Sequence, residues 1–328
     1  MTAFTHDRPG SRLSTGLTFA LIASASFGLS GSLAKGLMET GWTAGAAVLA
    51  RVAIAAVVLT IPGALAMRGR WHVLRQSAGT IIGYGVLAVA GAQLFYFMAV
   101  SSLDVGVALL IEYLAPVAVV LWLWFKHGSR PTRLTAIGAG IAAIGLVLLL
   151  NVIGGAQINL AGVAWALAAM VGATVYFIIS GDDSSDLPPL GLAASGLIVA
   201  AIVLALAAVT GVLPIATSTA PVEFVGFVAP WWAVLLALGI VTAALAYVTG
   251  IAATRRLGAR LGSFVALSEV IAAATFAWIL LGQAPLPIQL AGAALVLAGV
   301  VVVKLGEPAV AVAPAEPSVT EPQEPALV

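Results

Sequence analysis

"GSRPTRLTAIGAGIAAIGLV", residues 128–147, and "GQAPLPIQLAGAALVLAGVV", residues 282–301, lie 154 residues apart and share one pattern. In that ungapped register Gly128, Pro131, Gly138, Ala139, Gly145 and Val147 fall on Gly282, Pro285, Gly292, Ala293, Gly299 and Val301. Carried back toward Leu103, it also sets Leu103, Ala118 and Trp124 on Leu257, Ala272 and Trp278. A shift of 146 puts Gly16, Ala20 and Leu21 on Gly162, Ala166 and Leu167. Chains rich in alanine and glycine match by chance, but Pro, Trp and three Gly in one register point to an internal duplication.

Composition names the solvent. Of 328 residues, 62% are hydrophobic and 8% charged, with a mean hydropathy of +1.13. Soluble domains carry roughly 25% charged residues, and no soluble core buries so much apolar surface, so lipid must cover it. A net charge of +1 gives no reason to expect nucleic acid as a partner. The absence of cysteine excludes a disulfide framework, a zinc finger and a thiol nucleophile. His6, His72 and His127 lie outside the apolar runs and make no intramembrane metal site; no cofactor is expected. The polar start "MTAFTHDRPGSRLST" leads into an apolar run long enough to span, which reads as a retained first helix.

Apolar runs of about 20 residues mark ten spans near 13–34, 43–65, 78–100, 104–125, 133–151, 159–180, 189–212, 230–252, 259–281 and 286–304. With the N-terminus in the cytoplasm, the inside segments carry Arg8, Arg12, Arg68, Arg70, Arg75, Lys126, Arg130, Arg133, Arg255, Arg256, Arg260 and Lys304. Outside remains Lys35, and Arg51 falls within a span. That bias places both termini in the cytoplasm of a multi-pass inner (plasma) membrane protein. The expected organisation is a cytoplasmic segment 1–12, five-helix repeats at 13–151 and 159–304, and a Pro-, Ala- and Glu-rich tail 305–328 that reads as disordered. Because five is odd, the second repeat must enter the membrane from the other side. Inverted repeats of this kind build carriers that alternate around a midplane site.

Chemistry within the membrane centres on two acids. Glu112 stands in "LLIEYLAPVAVVLWLW" (109–124), with Tyr113 beside it and Pro116 four residues on. A proline lacks the N–H that the carbonyl four residues earlier needs, so Glu112 offers a carboxylate and a freed carbonyl together. Such broken helices occur where they line a wet cavity; the alternative is a structural glutamate beside a plain kink. Glu269 lies on a face of small residues with Gly262, Ala266, Ala273 and Ala277, which turns it into the bundle. Arg51 either snorkels outward or neutralises one of these acids. Gln93, Tyr96 and Tyr247 offer hydrogen bonds in a cavity or fill the interface, and Ser24, Ser26, Ser30 and Thr174 either line that cavity or bond their own backbone. Lys35 reads as an interfacial anchor, Asp104 as the cap of the fourth span, and Trp42, Trp122, Trp124, Trp231 and Trp232 as aromatic belts.

These features carry a family resemblance. The duplication, Arg51 in "LARVAIAAVVL", "VGVALLIEYLAPVAVVL" and "LGARLGSFVALSEVIAAATFAWILLGQAPLPIQLAGAALVLAGV" resemble EamA members of the drug/metabolite transporter superfamily over about 13–304. The glutamate–aromatic–x–small–Pro segment and "PIQLAGA" look like the amino-acid exporter branch that includes threonine/homoserine efflux proteins. Two positions depart from the family: Gly282-Gln283 where Gly-Glu is common, and Glu269-Val270 where Pro follows the acid. The resemblance implies an all-α integral membrane fold and a secondary transporter exporting small metabolites, most of all amino acids, and no enzyme. A broad drug/metabolite carrier or facilitator is the alternative.

Without a GxxxxGK[ST] loop, ATP is no direct energy source, and the two buried carboxyls suggest proton coupling. The partners are then a small-molecule substrate and the bilayer. The Gly-rich fifth and tenth spans pack within one protomer or between two of a homodimer. Asp182-Asp183-x-x-Asp186 is formally a prenyltransferase motif for Mg²⁺ and diphosphate, yet no second aspartate cluster accompanies it. A passive channel is the other competing class; channels usually build filters from subunit symmetry.

Overall fold

The computed structural model describes residues 9–115, 118, 132–149, 159–180 and 187–306, of which 9–12, 258–264 and 304 are described by backbone alone. Pro116, Trp122, Trp124, the aspartates at 182, 183 and 186, and nearly all of the expected tail lie outside them. Among the described residues, the regular structure is helical apart from one small hairpin. In chain order it runs α1 (Pro9–Glu39), α2 (Ala44–Ala66), α3 (Trp71–Gln76), α4 (Ala78–Val100), α5 (Val105–Glu112), α6 (Arg133–Leu149), α7 (Leu160–Ser180) and α8 (Pro189–Val209). Strands β1 (Val222–Phe224) and β2 (Phe227–Ala229) follow, then α9 (Trp231–Leu236), α10 (Ala246–Ala266), α11 (Ser268–Leu281) and α12 (Pro287–Gly306). Among the described residues, six spans are long and apolar enough to cross a membrane, and 133–149, 268–281 and 287–303 form shorter apolar helices. The protein is thus a multi-pass, all-α membrane protein.

The duplicated glycines form the seam between the two halves. A Cβ added to Gly138 would meet the backbone N of Val303 at 2.6 Å, and one on Gly292 would press on that of Leu149. One on Gly145 would meet Val296 N at 2.6 Å, and one on Gly299 would meet Ala142 N at 2.5 Å. Each contact has its counterpart 154 residues away with the partners exchanged, which is the mark of a local two-fold axis. Because Gly138 faces the Gly299 end of α12 and Gly145 the Gly292 end, α6 and α12 run antiparallel. Only hydrogen atoms fit between these backbones; small residues allow the close dispersion contact that drives association in lipid.

A looser correspondence, helix against helix rather than residue against residue, recurs elsewhere. Residues Tyr84–Gly91 of α4 are π-helical, and so is Ala237–Leu245 between α9 and α10. Shifted by 154, 84–91 becomes 238–245. A Cβ on Gly85 would strike Val199 of α8 at 2.7 Å, and one on its counterpart Gly239 would strike Ile54 of α2. π-Helical stretches are rare and gather at functional sites.

Several expectations need correction. Backbone helix continues through the junction expected between 252 and 259, because Arg, Leu and Ala there are good helix formers and no proline interrupts them. The chain nevertheless reverses: Gly250 faces Ala23 and Phe27, Gly16 faces Arg256 and Leu257, and Gly28 faces Glu269. Asp104 holds the N-cap position of α5 but makes no side-chain cap bond. The Val105 N–H donates to Gln283 Oε1 instead, at 3.2 Å. Trp42 is no belt residue. It is 8% exposed, and its Nε1 donates to Ser218 O at 2.7 Å, tying the segment before the hairpin to the end of α1. Lys35 donates to Leu103 O at 3.0 Å. The hairpin had no periodic signal: its strands are three residues long, joined by Gly226 at φ +87.

Candidate functional site

Two helix breaks meet at the centre. Helix α5 ends at Glu112, Tyr113 and Leu114 form a turn, and Ala115 resumes helix. In the second half α10 ends at Ala266, Leu267 is a one-residue turn and α11 starts at Ser268. Leu267 is Tyr113 plus 154. The position matching Pro116 is Val270, so the second break forms without a proline. Glu269 falls in the first turn of α11, where the helix dipole favours an anion. The Tyr113 hydroxyl donates to Glu269 Oε2 at 2.7 Å, joining the two breaks across the halves.

Both glutamates are half-buried and face a cavity lined also by Phe27, Gln93, Tyr113, Tyr176, Phe177, Tyr247 and three alanines, Ala88, Ala92 and Ala173. It offers about 60 Å³ to the centres of water-sized molecules, and one water needs roughly 10–15 Å³. A second pocket shares Phe27, Tyr113, Tyr176, Phe177 and Glu269 with it and continues between α1 and α10 past Ser24, Gly250 and Thr254. At the other end of α1, Lys35, Glu39, Trp42, Met98 and Leu213 line a wider vestibule of about 430 Å³.

Arg51 does not snorkel. It is fully buried, with Nη1 donating to Gln93 Oε1 and Nη2 to the Thr242 carbonyl in the π-helical segment. Its guanidinium carbon lies 5.5 Å from the Phe97 ring centre, and its Nε has no partner. Acceptors deep in the bundle hold it there, so reaching lipid headgroups would cost these bonds. Both glutamates are within its electrostatic reach. Gln93, which accepts from Arg51, and Tyr247 both line the cavity, whereas Arg51 lies behind them. Tyr96 is buried beside Gly31 and Val105, its hydroxyl without a hydrogen-bond partner.

The structure therefore brings Glu112, Glu269, Gln93 and Tyr247 to one cavity, with Arg51 behind them and Tyr96 nearby. Of the small polar residues, Ser24 lines the second pocket, Ser26 and Ser30 are buried, and Thr174 donates to its own backbone at Met170 O. Sequence reasoning missed Phe27, Tyr176 and the acceptor at Thr242. A usable signal existed: all five tyrosines fall inside apolar runs, where their hydroxyls need partners. Among the described residues no group of three His, Asp or Glu side chains stands ready for a metal.

Comparison with known proteins adds the family. A crystal structure aligns with 88% of this chain and 96% of its own, at a TM-score of 0.58 and 23% identity, a likeness of fold alone. No curated protein matches the chain. The model of the EamA-like transporter family matches twice, at residues 14–151 and 160–305. With both copies covering nearly the whole length, this chain belongs to the EamA-like transporter family.

Proposed function

We propose that the protein is a secondary transporter of the inner (plasma) membrane that exports small amine-bearing metabolites, amino acids and related compounds, by alternating access. Ten spans in two inverted repeats, 13–151 and 159–304, would surround the cavity at Glu112 and Glu269, with both termini in the cytoplasm. The single observation that carries this reading is the exchanged contacts: Gly138 with Val303 and Gly292 with Leu149, Gly145 with Val296 and Gly299 with Ala142. Two like halves related by a two-fold axis can rock around a fixed central site and open it to either face in turn. A carboxylate in an apolar cavity needs a proton or a cation for company. Exchanging one for the other on Glu112 and Glu269 couples export to the proton gradient.

The test is counterflow in vesicles that contain the purified protein and are preloaded with an amine-bearing compound. Saturable uptake stimulated by internal substrate is the expected outcome. Flux that rises linearly without saturating supports a channel instead, and Mg²⁺-dependent release of pyrophosphate from a prenyl diphosphate supports the enzyme.

A further inference from the structure

Three rings stand around the two carboxylates like the walls of a box corner. Phe27 and Tyr247 lie 5.1 Å apart, centre to centre, at 85°. Phe27 and Tyr176 are 6.4 Å apart at 83°, and Tyr176 and Tyr247 are 5.9 Å apart at 70°. All three rings line the one cavity, and mutually steep rings are the kind of arrangement that surrounds an ammonium group with aromatic quadrupoles. Glu112 and Glu269 bring two carboxyl groups to the same cavity, each able to trade its proton for a bound cation.

No cation balances those acids on the cavity surface. Among the described lining residues none is Lys or Arg. Arg51 commits its two terminal nitrogens to Gln93 and Thr242. An amino acid brought here would find carboxyl groups for its ammonium, while its own carboxylate would sit beside the same two acids with no Lys or Arg among the described lining residues to pair it. A buried carboxylate without a partner is among the most costly arrangements a site can hold. The second pocket, continuous with the first through Phe27, Tyr176 and Phe177, gives an apolar body somewhere to lie.

We propose that the cavity selects a monocationic amine with a flat apolar body and rejects the zwitterion that carries the same body. This rests on the carrier reading and narrows its substrate class from amino acids to amines and to amino acids whose carboxylate is masked. The ammonium sits between the three rings against Glu112 and Glu269, and protons compete for the same oxygens. The titratable and charged groups near those oxygens are each other, Tyr113 at the end of α5, Tyr176 on α7, Tyr247 on α10, Tyr96 of α4 and, behind Gln93 of α4, Arg51 of α2. Acidifying the side on which the amine binds therefore weakens binding.

The experiment uses the full chain in proteoliposomes, with labelled phenethylamine exchanged against phenethylamine, phenylalanine methyl ester, phenylalanine or phenylacetate. All four share one ring: the amine and the ester are monocations, phenylalanine is a zwitterion and phenylacetate an anion. The amine and the ester are expected to half-saturate exchange at concentrations at least tenfold lower than phenylalanine, with phenylacetate inert and the gap closing as pH falls. Saturable exchange in which phenylalanine matches or beats the amine overturns the selection and leaves the carrier standing. No saturable exchange with any of the four removes the carrier and the selection together.

Paired variants read the rings separately from the fold. Tyr176→Phe keeps the ring and Tyr176→Leu removes it, while both lose the hydroxyl. The amine preference is expected to survive the first and to drop at least fivefold in the second. Equal preference in the two, repeated with Phe27→Tyr and Phe27→Leu, overturns the aromatic part of the proposal.

Discussion

Glu112→Gln and Glu269→Gln, made together, are expected to abolish flux driven by a pH gradient, and each alone to weaken saturable exchange roughly 10- to 100-fold. The size follows from the charged hydrogen bond that each substitution removes. A hydrogen bond to a charged group is worth about 1.5–3 kcal/mol, and each 1.4 kcal/mol is a factor of about ten. The fold should tolerate the changes, because the amide oxygen at position 269 still accepts from Tyr113 and glutamine fills nearly the same volume. The sign of the pH effect is fixed by chemistry. A carboxylate that trades a proton for an amine loses amine as protons become abundant, whereas an amide has no proton to trade. Initial rates in vesicles, with the inside and outside pH set independently, make the comparison. Full gradient-driven flux in both single variants contradicts proton coupling through these acids.

Gly145→Leu is expected to open the seam between the halves, while Gly140→Leu on the same helix leaves it closed. A Cβ at 145 meets Val296 N at 2.6 Å and Gly292 O at 2.8 Å, both backbone atoms, so no rotamer relieves the clash. A Cβ at 140 meets nothing within 4 Å. Leucine raises helix propensity equally at both positions, so the difference isolates packing. Overpacking costs about 1–3 kcal/mol, which corresponds to a fall in the thermal midpoint of roughly 2–5 °C at this chain size. Thermal unfolding of the purified protein in one detergent reads it. Equal midpoints for the two variants contradict the glycine seam.

Much of this arrangement is legible in the sequence because lipid leaves few ways to satisfy a backbone. Long apolar runs such as 44–66, 78–100 and 160–180 read as helices, and their ends appear close to where the composition changes. The repeat is legible because close backbone contact admits only glycine, so Gly138, Gly145, Gly292 and Gly299 cannot drift. Glu112 and Glu269 stand out because hydrocarbon makes charge costly.

What stays hidden depends on partners far away in the chain. Nothing near Arg51 announces that Gln93 and the Thr242 carbonyl await it, so outward snorkelling reads equally well from the sequence. The π-helical stretches carry no composition of their own. Tyr176 and Phe27 look like ordinary apolar filler until α1, α7 and α10 set their rings at steep angles. Leu267 breaks its helix without a proline, so only the register with Tyr113 hints at it.

The central claim is that one cavity between two antiparallel halves opens to each side of the membrane in turn. The native chain has no cysteine, so Ala173→Cys places a single thiol on the cavity wall. Labelling it in sealed vesicles with a membrane-impermeant thiol reagent, supplied from outside only or inside only, is the most direct measurement. The expected result is reaction from either side, each slowed by saturating substrate. Reaction from one side alone, with or without substrate, contradicts the account.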